Sequence, residues 1–473
     1  MQRGEAAALA AAGLLLAAWY AWIAMRGSID PFHVHPHGRT FNSMLLHLLV
    51  GRFDVDSGAV GMEGFERDGR VYAYWGIFCA LLRAPLLLVP GAIRLDVTSA
   101  SMLAAVWLAA MAKLWLALDL RRALPASGTM DAAVVLFALY AALGGATIGQ
   151  LQPSIFQEVV FWAFAQASIF VCLAVRGVLD GQFSRGRLAA MALCAGFALI
   201  TRVSTAIGLY GALGLLLLVL AAQMWRAGRF RLADYGVPLA ILFAFVGIAA
   251  LVNYARWGNI ATFADYSFYR YNAVAPDRVG RMHAYGLFNL LRLPFGAQYF
   301  FFPLWAFKGS DGGAFFAETR ARLIDVAEFP PASLLLTDPL PFILAGCLVV
   351  AWGRPRVGLR AQARLLALAA GLLAPWLLMM TAIYMAYRYR VEFYPLLDLV
   401  AALGVIAVGR VPAMRALFAR HVIWIAGVTL AGVALAHLWV AIYQLTPFGP
   451  PDAFINYGTI DAYRTLLSRR FGL

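Results

Sequence analysis

The stretch YWGIFCALLRAPLLLVP, Tyr74–Pro90, decides how this chain is threaded. It is apolar, yet Arg83 and Pro85 interrupt it, and it barely reaches the ~17 residues that a crossing helix needs. Eleven other segments are read as spans, at about 6–25, 98–118, 131–149, 159–177, 187–202, 204–224, 236–255, 336–353, 364–384, 393–409 and 422–443. If Tyr74–Pro90 does not cross and the N-terminus lies inside, the basic turns gather on one side. They hold Arg3; Arg121 and Arg122; Arg176, Arg185 and Arg187; Arg226, Arg229 and Arg231; Arg354, Arg356, Arg360 and Arg364; and Arg410, Arg415 and Arg420. Short cytoplasmic loops are where arginine is expected, so this threading satisfies the charge rule and the alternative inverts it. Tyr74–Pro90 is therefore expected to be a juxtamembrane or re-entrant helix at the outer surface, its backbone covered by protein.

Composition agrees with a chain that lies mostly in lipid. Of 473 residues 63% are hydrophobic and only 13% charged, with a mean hydropathy of +0.76. Soluble domains carry about 25% charged residues. The first apolar run, Ala6 to Met25, is long enough to span and reads as a retained signal anchor. The net charge of +14 comes from arginines scattered between apolar runs, which suits a membrane surface and excludes nucleic acid as the partner. Only Lys113 and Lys308 are lysines among the 38 basic residues, and with abundant alanine this suits a high-GC bacterial genome. Cys79, Cys172, Cys194 and Cys347 lie inside apolar runs without close spacing, so they read as small core residues.

The fold class expected is an all-α integral membrane protein, one polytopic domain over 1–473. The outer side collects two long polar segments, 26–97 and 256–335, each with juxtamembrane helices, and the tail 444–473. The second segment is rich in tyrosine and phenylalanine, as befits helices in the headgroup zone. No inverted repeat is visible, which counts against a secondary transporter.

Candidate chemistry concentrates in the first of these segments. RFDVDSGAVGMEGFERDGRVYAYWG, Arg52–Gly76, carries Asp54, Asp56, Glu63, Glu66 and Asp68 among glycines and arginines. Asp54 and Asp56 alternate, so an extended backbone points both side chains the same way, where they can divide acid and base roles, bind a divalent cation, or simply belong to a solvated loop. Asp68-Gly69 makes a turn into Val71-Tyr72. Asp30, just past the first span, is placed either to act as a general base or simply to form a turn before Pro31. His33, His35 and His37 alternate in HVHPHG, a spacing that suits hydrogen bonding to phosphate or sugar more than a metal. Glu158 sits at the mouth of a helix in PSIFQE, as a comfortable N-terminal charge or as a substrate contact. Arg202 in LITRVS and Arg388 and Arg390 in YRYRVEFYP can fork onto phosphate oxygens, snorkel, or pair with Glu158 and Glu392. Asp398 and His437 lie within spans and make the case for a proton-coupled transporter; a buried pairing with a basic residue such as Lys113 is the duller account.

The layout resembles the GT-C superfamily of membrane glycosyltransferases, which includes protein mannosyltransferases and lipid A aminoarabinose transferases. The resemblance is carried by the acidic first outer loop, DLRRALP at 119–125, PSIFQE at 153–158, LITRVS at 199–204, NYARWGNIATFADYSF at 253–268 and RYRVEFYPLLDL at 388–399. DGRVYAYWGIFCALLRAPLLLVPG is similar to uncharacterised bacterial members of that group. The resemblance implies a polyprenyl-phosphate sugar donor, a glycan, lipid or protein acceptor, and reaction on the extracytoplasmic side of a bacterial plasma membrane. It implies a base at Asp30 or the Asp54/Asp56 pair, Glu158 as the acid of the second outer turn, and Arg202 on the donor phosphate. His33, His35, Glu63, Arg256, Arg388 and Arg390 complete the expected substrate contacts, with membrane lipids around them. Members of the group place Asp-Glu directly after the first span, whereas here Asp30 precedes Pro31 and three histidines. No cofactor is expected. The competing readings are a transporter or flippase of a lipid-linked sugar or small anion, using Asp398 and His437, and a non-catalytic assembly subunit.

Overall fold

A computed structural model describes residues 3–26, 30–302, 322–325, 332–352 and 359–445. Most of the tail 444–473, the stretches 303–321 and 326–331 of the second long loop, and Arg354 and Arg356 lie outside the described residues.

The protein is all-α and of membrane-spanning composition. Its helices are α1 (Arg3–Ala24), α2 (Thr40–Leu49), α3 (Thr98–Ala123), α4 (Gly128–Leu143), α5 (Ile155–Leu179), α6 (Arg185–Leu199), α7 (Val203–Arg226) and α8 (Ala233–Trp257), then α9 (Pro276–Tyr285), α10 (Leu293–Phe301), α11 (Pro339–Trp352), α12 (Leu359–Met380), α13 (Tyr394–Arg410) and α14 (Pro412–Leu445). Eight helical stretches among the described residues are long and apolar enough to cross a membrane. Each of the eleven segments read as spans falls on a helix; α4, α6 and α11 are the short ones, at 16, 15 and 14 residues. Helix starts follow local capping chemistry: Ser127, Ser154 and Ser184 each accept a bond from a backbone N–H in the first turn of α4, α5 and α6.

The described chain gathers into two compact units. The first holds 1–116, 153–275 and 354–374; the second holds 117–152, 276–353 and 375–473.

In the first unit Tyr74–Pro90 forms no spanning helix. It breaks into single turns at Phe78–Leu81 and Ala84–Leu88, followed by another at Ala92–Arg94. The loop ends where it began: the His35 amide donates to Asp96 at 2.8 Å, the His35 ring meets Ser99 Oγ at 2.8 Å, and Thr98 donates to the Gly38 carbonyl at 3.1 Å. A segment whose start and finish touch makes no net crossing. Leu81, Leu87, Leu88 and Val89 stay exposed while Cys79 and Ala80 are buried, so this turn region offers an apolar outer edge. Gly76 permits a close approach here, since a Cβ on it would lie 2.0 Å from the Ile200 carbonyl oxygen; the Phe78 amide bonds that same oxygen at 2.9 Å.

A small hairpin completes the loop, β1 (Phe65–Arg67) pairing antiparallel with β2 (Arg70–Tyr72). Its two-residue turn is Asp68-Gly69, with φ of 52° and 71°, the positive values that a tight hairpin turn requires. Phe65 stacks on Tyr269 at 4.9 Å and also bridges it through the backbone, so the segment after α8 lies along the hairpin.

In the second unit α13 is sheathed by α11, α14 and α4 and is buried along nearly its whole length. The amphipathic α9 and short α10 occupy the second long loop, as expected of juxtamembrane helices. Arg292 is fully buried and donates to the carbonyls of Leu323, Leu287, Thr381 and Gly286, which knots that loop to the end of α12. All four cysteines are free thiols.

Candidate active site

The short helix α2 organises the acidic loop. Its first six residues are buried, and its polar positions each hold a different strand of chain. Thr40 donates to the carbonyls of His37 and Ala59, and Asn42 to those of Ile93 and Leu95. Ser43 Oγ donates to Asp56 Oδ2 at 2.7 Å and accepts from the Asp56 amide at 2.8 Å. At its C-terminal end stands His47.

The imidazole of His47 lies between the two alternating carboxylates. Nδ1 is 3.4 Å from Asp54 Oδ1 and Nε2 is 3.4 Å from Asp56 Oδ1. The extended run 52–56 does turn both side chains to one side, but their environments differ sharply, with side-chain exposures of 4% for Asp54 and 68% for Asp56. Asp54 is bound by Arg52 through two contacts, Nε to Oδ1 at 3.0 Å and Nη2 to Oδ2. Burial raises the Asp54 carboxyl, but the Arg52 hydrogen bonds, its own backbone and His47 outweigh that and hold it below the ordinary carboxylate range. Asp54 is thus a fixed anion, whereas Asp56 presents an oxygen to solvent. Because the ring sits between the carboxylates they do not converge, and among the described residues no three His, Cys, Asp or Glu side chains form a metal-holding group.

The other acids are placed differently. Asp30 is exposed; it accepts the Phe32 amide at 3.1 Å and lies 3.8 Å from the His33 ring, all local contacts. His33 sits edge-on to His35 at 5.0 Å. Burial, more than any neighbouring charge, lowers the His35 imidazole. Glu63 accepts the Tyr269 hydroxyl at 2.8 Å. Glu158 is completely buried at the start of α5, in a forked pair with Arg83 whose two N···O distances are 2.7 Å, and Arg83 also reaches Asn42 Oδ1 at 3.2 Å.

Of the arginines, Arg202 is half-buried at the turn into α7, which lies against Gly76 and Phe78. Arg256 is buried at the end of α8 and donates to the Trp75 carbonyl at 2.8 Å, with Met44 Sδ at 3.6 Å. These, the His47 cluster and Arg83–Glu158 all belong to the first unit.

The second unit holds the rest. Arg390 is buried and donates to the Ala332 carbonyl and Thr337 Oγ1, each at 2.6 Å, to Tyr394 at 3.0 Å and to Asp338 at 3.1 Å. Arg388 lies over the rings of Tyr384 and Tyr389. Asp398 accepts the Tyr140 hydroxyl at 2.8 Å, and His437 Nδ1 lies 2.8 Å from the carbonyl of Val433, one turn back on its own helix.

His47, Arg83 and Asp338 are absent from the sequence candidates. His47 carries a legible signal, the last turn of a polar-studded helix just before DVD. Arg83 carries a weaker one, a charge that breaks an apolar run.

Two crystal structures of Archaeoglobus fulgidus oligosaccharyltransferase are similar to this chain, one tethered by a disulfide to an acceptor peptide containing the NVT sequon and one in the apo form. Identity is 13% in both, the match covers 95% of this chain and 55% and 56% of theirs, and the TM-scores are 0.49 and 0.48. The chain therefore spans about half the length of the structures it matches, and so loose a superposition leaves function to be argued from the residues. No family model matches the sequence, and no curated protein matches it.

Proposed function

We propose that this protein is a membrane glycosyltransferase that moves a sugar from a polyprenyl-phosphate-linked donor to a glycan, lipid or protein acceptor at the extracytoplasmic face of a bacterial plasma membrane. The observation that carries this reading is Asp56, an exposed carboxylate anchored by Ser43 and facing His47. A general base has to be reachable and held in place. Of the four acids suggested by sequence, Asp54 and Glu158 are committed to arginines, and Asp30 has only local contacts. Asp56 is exposed and is anchored by Ser43.

In the reaction, the acceptor hydroxyl gives its proton to an Asp56 oxygen as the acceptor oxygen bonds to the anomeric carbon. The bond from that carbon to the phosphate oxygen breaks, and the electron pair leaves on the phosphate. Phosphate is a good leaving group, so the demands are charge stabilisation by arginine and deprotonation of the acceptor. The resemblance of the acidic loop and its flanking motifs to GT-C enzymes supports the donor class and the outward side.

The test uses membranes enriched in the full chain and a panel of radiolabelled undecaprenyl-phosphate hexoses. Label should pass to membrane acceptors, Asp56→Asn should lower transfer by about 100-fold or more, the scale of a lost general base, and Asp30→Asn should stay within about twofold. Undiminished transfer by Asp56→Asn would overturn the assignment.

A further inference from the structure

We infer that Arg270, in the segment after α8, binds the phosphate of the donor; this rests on the glycosyltransferase reading and assigns it a residue absent from the sequence candidates. Arg270 is tied to the chain beside the candidate base. Its Nη1 donates to Ser57 Oγ at 2.8 Å and approaches the Gly61 carbonyl at 3.5 Å, and its amide donates to the Gly64 carbonyl at 3.0 Å. Ser57 is the residue next to Asp56.

Several arginines of the same unit are committed to protein partners. Arg83 is locked to Glu158, Arg52 to Asp54, and Arg256 to Trp75 and Met44. Arg67 donates to the Arg256 carbonyl and pairs with Asp68. What sets Arg270 apart is its bond to Ser57, the residue next to Asp56, and it keeps donor capacity there. Its Nη2 donates to none of the described residues, and its one carboxylate partner is Glu66, held through Nε at 3.0 Å with the Glu66 side chain 56% exposed. Exposed pairs of this kind are weak, so exchanging Glu66 for a phosphate costs little. The guanidinium then offers its Nε and Nη2 edge as a fork to two phosphate oxygens, while Ser57 and Gly61 keep it beside Asp56. A cation bonded to the residue that follows the base suits a reaction in which the acceptor proton leaves at one side of the anomeric carbon and the phosphate at the other.

The experiment measures binding of undecaprenyl phosphate to the full chain in detergent micelles, without turnover. Arg270→Ala should weaken it by about tenfold or more, the scale of a lost charge-assisted bond, and Arg270→Lys should fall between. Glu66→Gln should tighten binding severalfold, because the competing carboxylate is gone; a purely structural Arg270–Glu66 pair would not produce that gain, whatever happens to the fold of Arg270→Ala. Competition by inorganic phosphate supports phosphoryl recognition. Unchanged affinity in Arg270→Ala, no gain in Glu66→Gln, or equal binding of phosphatidylglycerol would each overturn the assignment. Undiminished transfer by Asp56→Asn would instead defeat the underlying reading, so the two failures are separable.

Discussion

Arg83 and Glu158 meet as a fork with N···O distances of 2.7 Å, both side chains almost wholly out of solvent. A buried pair of this kind stabilises little against an apolar replacement, but removing one partner strands a charge and costs about 3–5 kcal/mol. Glu158→Ala and Arg83→Ala should each lower the thermal midpoint markedly, while Arg83→Met with Glu158→Leu should restore most of it. Recovery of transfer in the double variant would mark Glu158 as a structural anion; a folded but inactive double variant would return it to the chemistry.

Asp54 makes stability depend on acid. Its carboxyl is held below the ordinary value, near 3.9, so its stabilising contribution is complete above that value and is lost as pH falls through the lower folded pKa. Thermal midpoints of the wild type and Asp54→Asn should differ near neutral pH and converge on acidification below about pH 4. A difference that stays constant across that range would show that Asp54 is not held by charge.

Gly76 joins the non-crossing turns to the α6–α7 turn that carries Arg202. Its added Cβ would sit 2.0 Å from the Ile200 oxygen and 2.8 Å from the Thr201 nitrogen, both backbone atoms, which cannot move aside as a side-chain tip does. Gly76→Ala should destabilise by about 1–3 kcal/mol or more. It should also increase protease or hydrogen-exchange access across residues 74–90 before the rest of the chain opens, and a variant as protected as the wild type would refute this joint.

The helical frame was legible because it rests on local properties. Apolar length marks α1, α3 and α5, arginine placement excludes Tyr74–Pro90 as a crossing, and Asp68-Gly69 marks a hairpin turn in which both φ are positive. The site was legible in composition but not in roles. DVD does set Asp54 and Asp56 on one side, yet nothing in the triplet says that Arg52 claims the first and leaves the second open. That division depends on His47 and Ser43, brought in by the packing of α2. Arg83 choosing Glu158, 75 residues away, is likewise a product of folding. Long-range pairing of buried charge leaves no periodic trace, so sequence names the charged residues without naming their partners.

Arg390 shows the same limit in the second unit and can be tested most directly. Its sequence context leaves phosphate binding, snorkelling and pairing with an acid all open, and its donors go to Ala332, Thr337, Tyr394 and Asp338. Asp338 in turn accepts the Gly145 amide, Thr337 Oγ1 and the Tyr394 hydroxyl, each at 2.8 Å. Lysine cannot reproduce the planar fork that serves these acceptors, so Arg390→Lys should leave buried acceptors unmet and lower stability by about 1–3 kcal/mol. Asp338→Ala, which strands the guanidinium, should cost about 3–5 kcal/mol. Undecaprenyl phosphate binding by the folded fraction of Arg390→Lys should match the wild type. A binding loss of tenfold with an unchanged thermal midpoint would make Arg390 a substrate residue after all.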